Sequence, residues 1–360
     1  MSIESDLRKD GIRVIDILDT VSVNKIAHSI AKKLCDNFPE LCFSENVLFT
    51  KLSQLNMYRA SMPEGMAEAN YFYKNTSIYF NEKIAFEDLE EFAIHECIHY
   101  IQEVKDKKNN LVRMGLCVFD NFKILGMGLN EAAVQYMTSK IIGIERDYVK
   151  YFGVSFRTAS PSYYPIECNL IEQMAYITGE SVLFDSTFTS NDKFKDKFIE
   201  LTSEKTYDEV EYCIDQILEL EETIIKLGNK FASFDERNKK VDKIVAKSDS
   251  CKAKIAEYYV KAQDLIIKNY FDRAFKKITN LEELDEYRKS LEHYKELIGR
   301  TDDYTFFDDY YTEKMTELEH KSNILENGGI ETALEVKKVN KFVSWFRAFK
   351  NFVTGEKIHN

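Results

Sequence analysis

Residues that break helices are scarce in this chain, and their scarcity limits its fold more than any other feature. The 360 residues include only 13 Gly and 4 Pro. Since Gly and Pro interrupt regular elements and mark turns, so few of them favour long helices and argue against an all-β fold. After residue 203, Lys/Glu-rich stretches carry apolar residues at spacings of three and four, the pattern of amphipathic helices in a bundle or hairpin. These stretches cover 207–227, 236–278, 281–298 and 312–326. We therefore expect a helical region over 204–335, with its boundary near residue 203.

Composition and charge exclude several classes of protein. The chain is 44% hydrophobic and 31% charged, as ordinary globular proteins are. Its net charge of −12 argues against a nucleic-acid-binding protein, which normally carries a basic surplus. Seven Cys without a CxxC pair indicate reduced thiols rather than a disulfide framework. Residues 1–10 lack the apolar region of a signal peptide, and no run of about 18 apolar residues occurs, so we expect a cytoplasmic protein.

Residues 1–203 mix helical and strand patterns, which predicts an α+β region that is mostly helical. Apolar residues at helical spacing predict an amphipathic helix over 21–38. Short segments rich in β-forming residues, separated by turn sequences, predict a small antiparallel sheet. These segments are 55–58, 69–73 and 77–80. Three further helices are expected at 86–104, at 119–142 with an interruption at 126–128, and at 165–184.

Two histidines stand four residues apart in His95-Glu96-Cys97-Ile98-His99, within the helix expected at 86–104. Residues at this spacing lie on one face of a helix, one turn apart, so both imidazoles can reach one zinc ion. Glu96 is rotated by about 100° from His95, which lets it face a zinc-bound water without being a ligand. The motif predicts a metal centre with Glu96 as general base. The alternative is two core histidines held by hydrogen bonds.

A third ligand must come from elsewhere in the chain. The extended motif HExxHxxGxxH would supply it, but Gln102 and Lys105 occupy the two positions concerned, which excludes that class. Glu131 lies 32 residues after His99, in the next expected helix, and two alanines that permit close helix packing follow it. Glu145 and Glu167 are the alternatives.

HECIH followed by Asn130-Glu131-Ala132-Ala133 resembles the gluzincin branch of the zinc metallopeptidases, over roughly residues 45–185. The resemblance rests on these two short motifs. It implies a zincin-like catalytic domain over 1–203, built from a small antiparallel sheet, the HExxH helix and a glutamate-bearing helix. It also implies one Zn²⁺ per chain, held by His95, His99 and Glu131. The implied activity is hydrolysis of peptide bonds in a peptide or protein substrate, with Glu96 as general base.

A peptidase also needs a donor that stabilises the oxyanion, and gluzincins often use a Tyr or His from a later segment. Tyr163 and Tyr164 precede the helix expected at 165–184. Tyr164 is the candidate because it adjoins the helix start, and the alternative is a packing role for both. Gln102 and Gln135 can orient the ligands from behind, or they can be ordinary polar helix residues.

Residues 336–360 predict a basic amphipathic C-terminal helix. Aromatic residues recur on one face, while Lys and Arg fall largely elsewhere. Through residues 337–353 such a helix can contact an anionic membrane surface or a partner's groove, or dock on the acidic body of its own chain. Two alternative functions follow, namely a non-catalytic zinc-stabilised protein-binding module and a membrane-surface protein acting through this helix. Glu96 disfavours the binding module, since a purely structural site does not need a glutamate there.

Overall fold

The computed structural model describes residue 7 and residues 11–63, 66–120, 123–232 and 240–327. The helix expected at 336–360 lies outside these residues. Within them the chain is mostly helical with small sheets, so the expectation of an α+β fold is confirmed. The described helices are α1 (Thr20–Asn37), α2 (Glu45–Leu52), α3 (Leu89–Gln102), α4 (Met127–Ile142), α5 (Pro165–Thr178), α6 (Glu180–Thr189), α7 (Lys193–Leu201), α8 (Glu204–Ala232), α9 (Lys240–Lys277), α10 (Leu281–Tyr294) and α11 (Phe306–Glu326).

The described strands form three small sheets. They are β1 (Arg13–Ile17), β2 (Asn56–Ser61), β3 (Ala69–Phe72), β4 (Ser77–Asn81), β5 (Glu103–Lys105), β6 (Leu111–Met114), β7 (Cys117–Asp120), β8 (Lys123–Leu125), β9 (Asp147–Tyr151) and β10 (Val154–Thr158). The first sheet has the order β1-β2-β4-β3, and its pairs are antiparallel except for the parallel pair β2–β4. β5 to β8 form an antiparallel meander, and β9 pairs with β10 in a hairpin.

The motif helix α3 packs against elements that precede it in the chain and against α4 and α6, which follow it. Asp19 caps α1 by accepting a hydrogen bond at Oδ1 from the Ser22 N–H at 2.8 Å, an arrangement that stabilises a helix start. The helix α3 contacts α1 as well as strands β3 and β4. Its residues Ala93, Ile94 and Ile98 are fully buried. A helix that is apolar on most sides belongs in the interior, and α3 therefore forms the centre of the N-terminal region.

The helix expected over 119–142 is shorter than predicted. Helix α4 begins only at Met127, and the residues before it form β7 and β8. Short apolar runs such as the one around Phe119 fit a strand as well as a helix, so periodicity alone could not separate the two. Gly126 then adopts the left-handed region (φ +73°) and directs the chain from β8 into α4.

The helix expected over 165–184 is divided in the structure. Gly179 has φ +94° and ends α5 after Thr178, and α6 begins at Glu180. Because a residue at this φ cannot continue a right-handed helix, the chain changes direction there. The prediction was therefore correct for the start of the helix, at Pro165, and wrong for its end.

The long helices α8 and α9 pack against each other, and α8 also packs against α4 and α5. Helix α7 ends at Leu201 and α8 begins at Glu204, so an interruption lies at the boundary expected near residue 203. One cluster of buried apolar side chains nevertheless extends from Leu18 to Leu318. Among the described helices, none is both long enough and apolar enough to cross a membrane.

Candidate metal centre

The three ligands expected from the sequence lie together between α3 and α4. The Nε2 atoms of His95 and His99 are 3.0 Å apart. Glu131 places Oε2 at 3.3 Å from His95 Nε2 and Oε1 at 3.4 Å from His99 Nε2. One ligand atom from each of the three residues lies within 4.8 Å of the others. The two helices thus bring together side chains that are separated by as many as 36 residues.

The position of Glu131 depends on how closely α4 approaches its neighbours. Ala132 and Ala133 are fully buried, and small side chains let helices pack closely. A Cβ at Gly128 would lie 2.8 Å from the Ile214 carbonyl oxygen of α8, so only glycine fits there. The backbone of α8 therefore lies in close contact with the first turn of α4 and fixes its position.

Asp215 of α8 strengthens this contact. Its Oδ2 accepts a hydrogen bond from the Gly126 N–H at 3.0 Å, and its Oδ1 accepts one from the Gly128 N–H at 2.8 Å. These amides belong to the start of α4, where N–H groups have no partner within the helix and the dipole favours a negative charge. Sequence analysis missed Asp215, because the contact spans 87 residues and no local pattern signals it.

An amide oxygen contacts the second nitrogen of each imidazole. His95 Nδ1 lies 3.1 Å from Gln135 Oε1, and His99 Nδ1 lies 3.3 Å from Gln102 Oε1. Gln135 Nε2 donates to Ser160 Oγ at 3.0 Å, which directs the oxygen of that amide towards His95. An amide oxygen only accepts hydrogen bonds, so these two contacts suit the tautomer that carries its hydrogen on Nδ1 and leaves a lone pair on Nε2 for a metal.

Asn130 orients Gln102 in the same way. The Leu116 N–H donates to Asn130 Oδ1 at 3.0 Å, and Asn130 Nδ2 then donates to Gln102 Oε1 at 3.3 Å. The oxygen of Gln102 is thereby held towards His99. Both glutamines named from the sequence thus contact the imidazoles, as residues that orient metal ligands do.

Four acceptor atoms therefore face one another: two imidazole Nε2 atoms and the two oxygens of Glu131. A single proton between the imidazoles would satisfy only part of this set. A divalent cation among the four atoms would satisfy all of them, so the residues present fit such an ion.

Glu96 lies beside this cluster without belonging to it. Its Oε2 accepts a hydrogen bond from the Tyr71 N–H of β3 at 2.6 Å, and the residue is 9% exposed. Burial raises the pKa of Glu96 to about 7, and the nearby Glu131 carboxylate adds to the increase. The backbone donor at Tyr71 could not be found from sequence, since every residue except proline carries an N–H.

Tyr164 is the expected tyrosine that reaches the cluster. Its ring lies 6.2 Å from the His95 ring, centroid to centroid, at an interplanar angle of 23°. The Glu131 charge and burial raise its pKa well above 10, so the phenol keeps its proton. Tyr164 precedes α5 in the left-handed region (φ +48°), which turns its side chain into the site. Tyr163 is 38% exposed at the rim.

The two alternative third ligands lie elsewhere. Glu145 is exposed, and Glu167 is buried in the first turn of α5. Neither belongs to the cluster formed by His95, His99 and Glu131.

A small cleft opens onto the cluster. Its volume is about 90 Å³, and it is bounded by β3 with the residues before it, by α3 and α4, and by the loop before α5. His95, Glu96 and Tyr164 line it. Comparison with known proteins finds no match for this chain among family models, curated proteins or solved structures.

Proposed function

We propose that this chain is a zinc-dependent metallopeptidase of the gluzincin type that hydrolyses peptide bonds in the cleft. The observation that carries the proposal is the convergence of four acceptor atoms from His95, His99 and Glu131, with Glu96 beside them. A zinc ion at this position would polarise a carbonyl group and lower the pKa of water. Two imidazoles and one carboxylate are a donor set that zinc takes in catalytic sites.

Glu96 is suited to hold and transfer a proton. A carboxyl group with a pKa of about 7 can accept a proton and release it near neutral pH. The Tyr71 N–H fixes Oε2, and no described residue forms a hydrogen bond with Oε1. Glu96 can therefore take a proton from a water molecule in the cleft and transfer it to the leaving amine.

Tyr164 is suited to stabilise the oxyanion. Its phenol stays protonated at neutral pH because the Glu131 charge and burial raise its pKa. A neutral phenol is an O–H donor, and such donors stabilise the negative charge that develops on a carbonyl oxygen under attack. Its position beside His95 puts this donor in the same cleft as Glu96.

Strand β3 supports a peptide as the substrate. Among the described strands, β3 pairs only with β4, so its other edge has no strand partner. The Tyr71 N–H on that free edge already points to Glu96. An extended peptide can add to such an edge by main-chain hydrogen bonds, and its backbone would then pass beside the cluster.

The test measures zinc and peptide hydrolysis in the same preparations. We expect about one zinc per wild-type chain, and loss or strong weakening of zinc binding in His99→Ala and in Glu131→Ala. The exposed Glu145→Ala is the matched control, and it should keep the metal. Glu96→Gln should keep zinc and lose hydrolysis of a peptide library by about 10²-fold or more, since general-base catalysis contributes about 10²–10⁴.

Other outcomes would contradict the proposal in different ways. Zinc retained in Glu131→Ala would mean that the third ligand lies elsewhere. Zinc bound by the wild type without hydrolysis by either wild type or Glu96→Gln would favour the zinc-stabilised binding module. A wild-type chain that takes up no zinc even when it is offered would leave the cluster as an ordinary histidine–carboxylate contact.

A further inference from the structure

Two carboxylates at the rim of the cleft have no part in the proposed chemistry. Glu68 precedes β3, and Glu91 lies in the first turn of α3, and both line the cleft. Glu91 is four residues before His95, so the two side chains share one face of α3 and lie one turn apart. The acidic rim is therefore built from the same two elements that carry Tyr71 and the histidines.

Among the described residues, no cationic side chain balances the negative charges of the two rim carboxylates. The residues that line the cleft include no Lys or Arg. Neither Glu68 nor Glu91 forms an ion pair with a described Lys, Arg or His. Tyr163 lines the same cleft, and burial together with the charges of Glu68 and Glu91 raises its pKa to about 12. A neutral phenol can accept a cation's hydrogen bond but cannot balance two negative charges.

The charges of the proposed centre leave the rim unbalanced. When both are ionised, the carboxylates of Glu96 and Glu131 carry two negative charges, which one divalent ion would balance. Glu68 and Glu91 would then remain as two negative charges next to a neutral centre. Glu96 lines the same cleft, and its hydrogen bond with the described residues uses Oε2, which accepts from the Tyr71 N–H. A cationic group on the bound substrate would balance the negative charges of Glu68 and Glu91.

We propose that Glu68 and Glu91 select substrates that place a cationic group, an alkylammonium or a guanidinium, beside the bond to be cleaved. This inference rests on the proposed peptidase function. The basic side chain of Lys or Arg is the source that an extended peptide on β3 would present, and a free α-amino group is the other source of the same chemistry. Apolar side chains such as Phe92, Ile142 and Ile144 line the cleft near the rim and suit the aliphatic stem of a lysine.

The test compares matched fluorogenic peptides with wild-type enzyme and with the double variant Glu68→Gln/Glu91→Gln. The peptides are N-acetylated and differ only by Lys or norleucine at each position around the cleavage site. A second series with a free amino terminus separates the α-amino group from the side chain. The control is Glu82→Gln/Glu87→Gln, which removes the same charge from exposed residues that do not line the cleft.

We expect the wild type to prefer the cationic peptide by about tenfold or more in kcat/KM, as charge-assisted contacts give. The ratio should fall towards one in the double variant and stay unchanged in the control. It should also decrease as salt is raised, because the rim is open to solvent. Equal kcat/KM for Lys and norleucine peptides in the wild type would overturn the inference, and so would a preference that survives in the double variant.

A binding measurement separates this inference from the proposed function. The same peptides, labelled with a fluorophore, are titrated into zinc-loaded Glu96→Gln protein and followed by anisotropy. If the wild type cleaves nothing but the lysine peptide still binds about tenfold more tightly in a Glu68- and Glu91-dependent manner, the inference holds and the peptidase proposal fails. If the lysine and norleucine peptides bind equally, or neither binds, the inference fails.

Discussion

Three buried amide side chains, Gln102, Asn130 and Gln135, lie between the imidazoles and the surrounding core. They are 1%, 0% and 5% exposed, and a buried amide is costly unless it forms hydrogen bonds. The side-chain oxygens of Gln102 and Gln135 each contact the Nδ1 atom of a histidine. Their stability therefore depends on imidazoles that donate from Nδ1, and this tautomer leaves both Nε2 atoms to bind a metal. The core thus favours a tautomer suited to metal binding as well as the position of the two imidazoles.

Gly115 gives a test of this arrangement at the level of one residue. A Cβ at Gly115 would lie 2.1 Å from Asn130 Oδ1 and 2.5 Å from Gln102 Nε2. We expect Gly115→Ala to lose about 1–2 kcal/mol from its left-handed backbone and about 1–3 kcal/mol more from overpacking. Displacing the two amides should also weaken zinc binding by about 10–100-fold. Urea denaturation and zinc titration against a chelator measure the two effects.

The control for Gly115→Ala is Gly153→Ala. Gly153 is also left-handed (φ +86°), but a Cβ there meets nothing within 4 Å. It should lose only the backbone contribution and keep its zinc affinity. Equal losses of stability in the two variants, with zinc affinity intact in both, would show that the amides tolerate the displacement.

Helix α4 connects the metal centre with the long C-terminal helices. It carries Glu131 on the side that meets α3, while its first turn is hydrogen-bonded to Asp215 of α8. The helices of the C-terminal region therefore help to position α4, through Asp215 of α8. They hold the segment that carries Glu131, the proposed third ligand, so a change in α8 can alter the proposed centre without touching its residues.

Asp215→Ala tests this connection between elements. The variant leaves the Gly126 and Gly128 amides without their acceptor, and loss of a helix cap costs about 0.5–2 kcal/mol. Because α4 also carries Glu131, we expect zinc affinity to fall as well. Asp19→Ala removes the cap of α1, where Asp19 accepts from the Ser22 N–H, far from α4 in the chain. It should lose comparable stability at unchanged zinc affinity, and a similar result for both variants would contradict the proposed role of Asp215.

Helices whose apolar pattern repeats over several turns could be predicted from the sequence, and so could the strands β2 to β4, but the shortest strands could not. The motif helix α3 and the long helices α8 and α9 follow apolar patterns that repeat over several turns. The strands β5 to β8 are only three or four residues long, too short for a period to show. The three residues that cluster, His95, His99 and Glu131, could be named because their chemistry is in their side chains. Tyr71 and Asp215 could not, because their contacts join distant segments.

At the scale of the whole molecule, an acidic pair joins the two regions of the chain. Glu167 of α5 is fully buried and Glu221 of α8 is 9% exposed, and neither pairs with a described cation. Burial raises the pKa of both carboxyl groups, to about 7 for Glu167, and the charge of Glu167 raises that of Glu221 further. Burial raises the pKa of Tyr151, and the Glu131 charge and burial raise that of Tyr164; the charges of Glu167 and Glu221 add to both increases. A shared proton is the natural state of such a pair.

Glu221→Gln should therefore stabilise the protein at alkaline pH. Because the folded pKa values exceed the ordinary 4.5, the folded state retains protons that the unfolded state releases. The stability from this protonated pair, complete below pH 4.5, is lost progressively as pH rises through about 7 for Glu167 and about 10 for Glu221. An amide at 221 needs no proton, so we expect the variant to exceed the wild type by about 1–3 kcal/mol at pH 8 and to match it near pH 5. Urea denaturation across this range measures the difference.

Glu222→Gln, on the exposed face of α8 beside Lys226, is the control and should change the free energy of unfolding by less than about 0.5 kcal/mol. A Glu221→Gln variant with the wild-type pH slope would show that the pair does not share a proton.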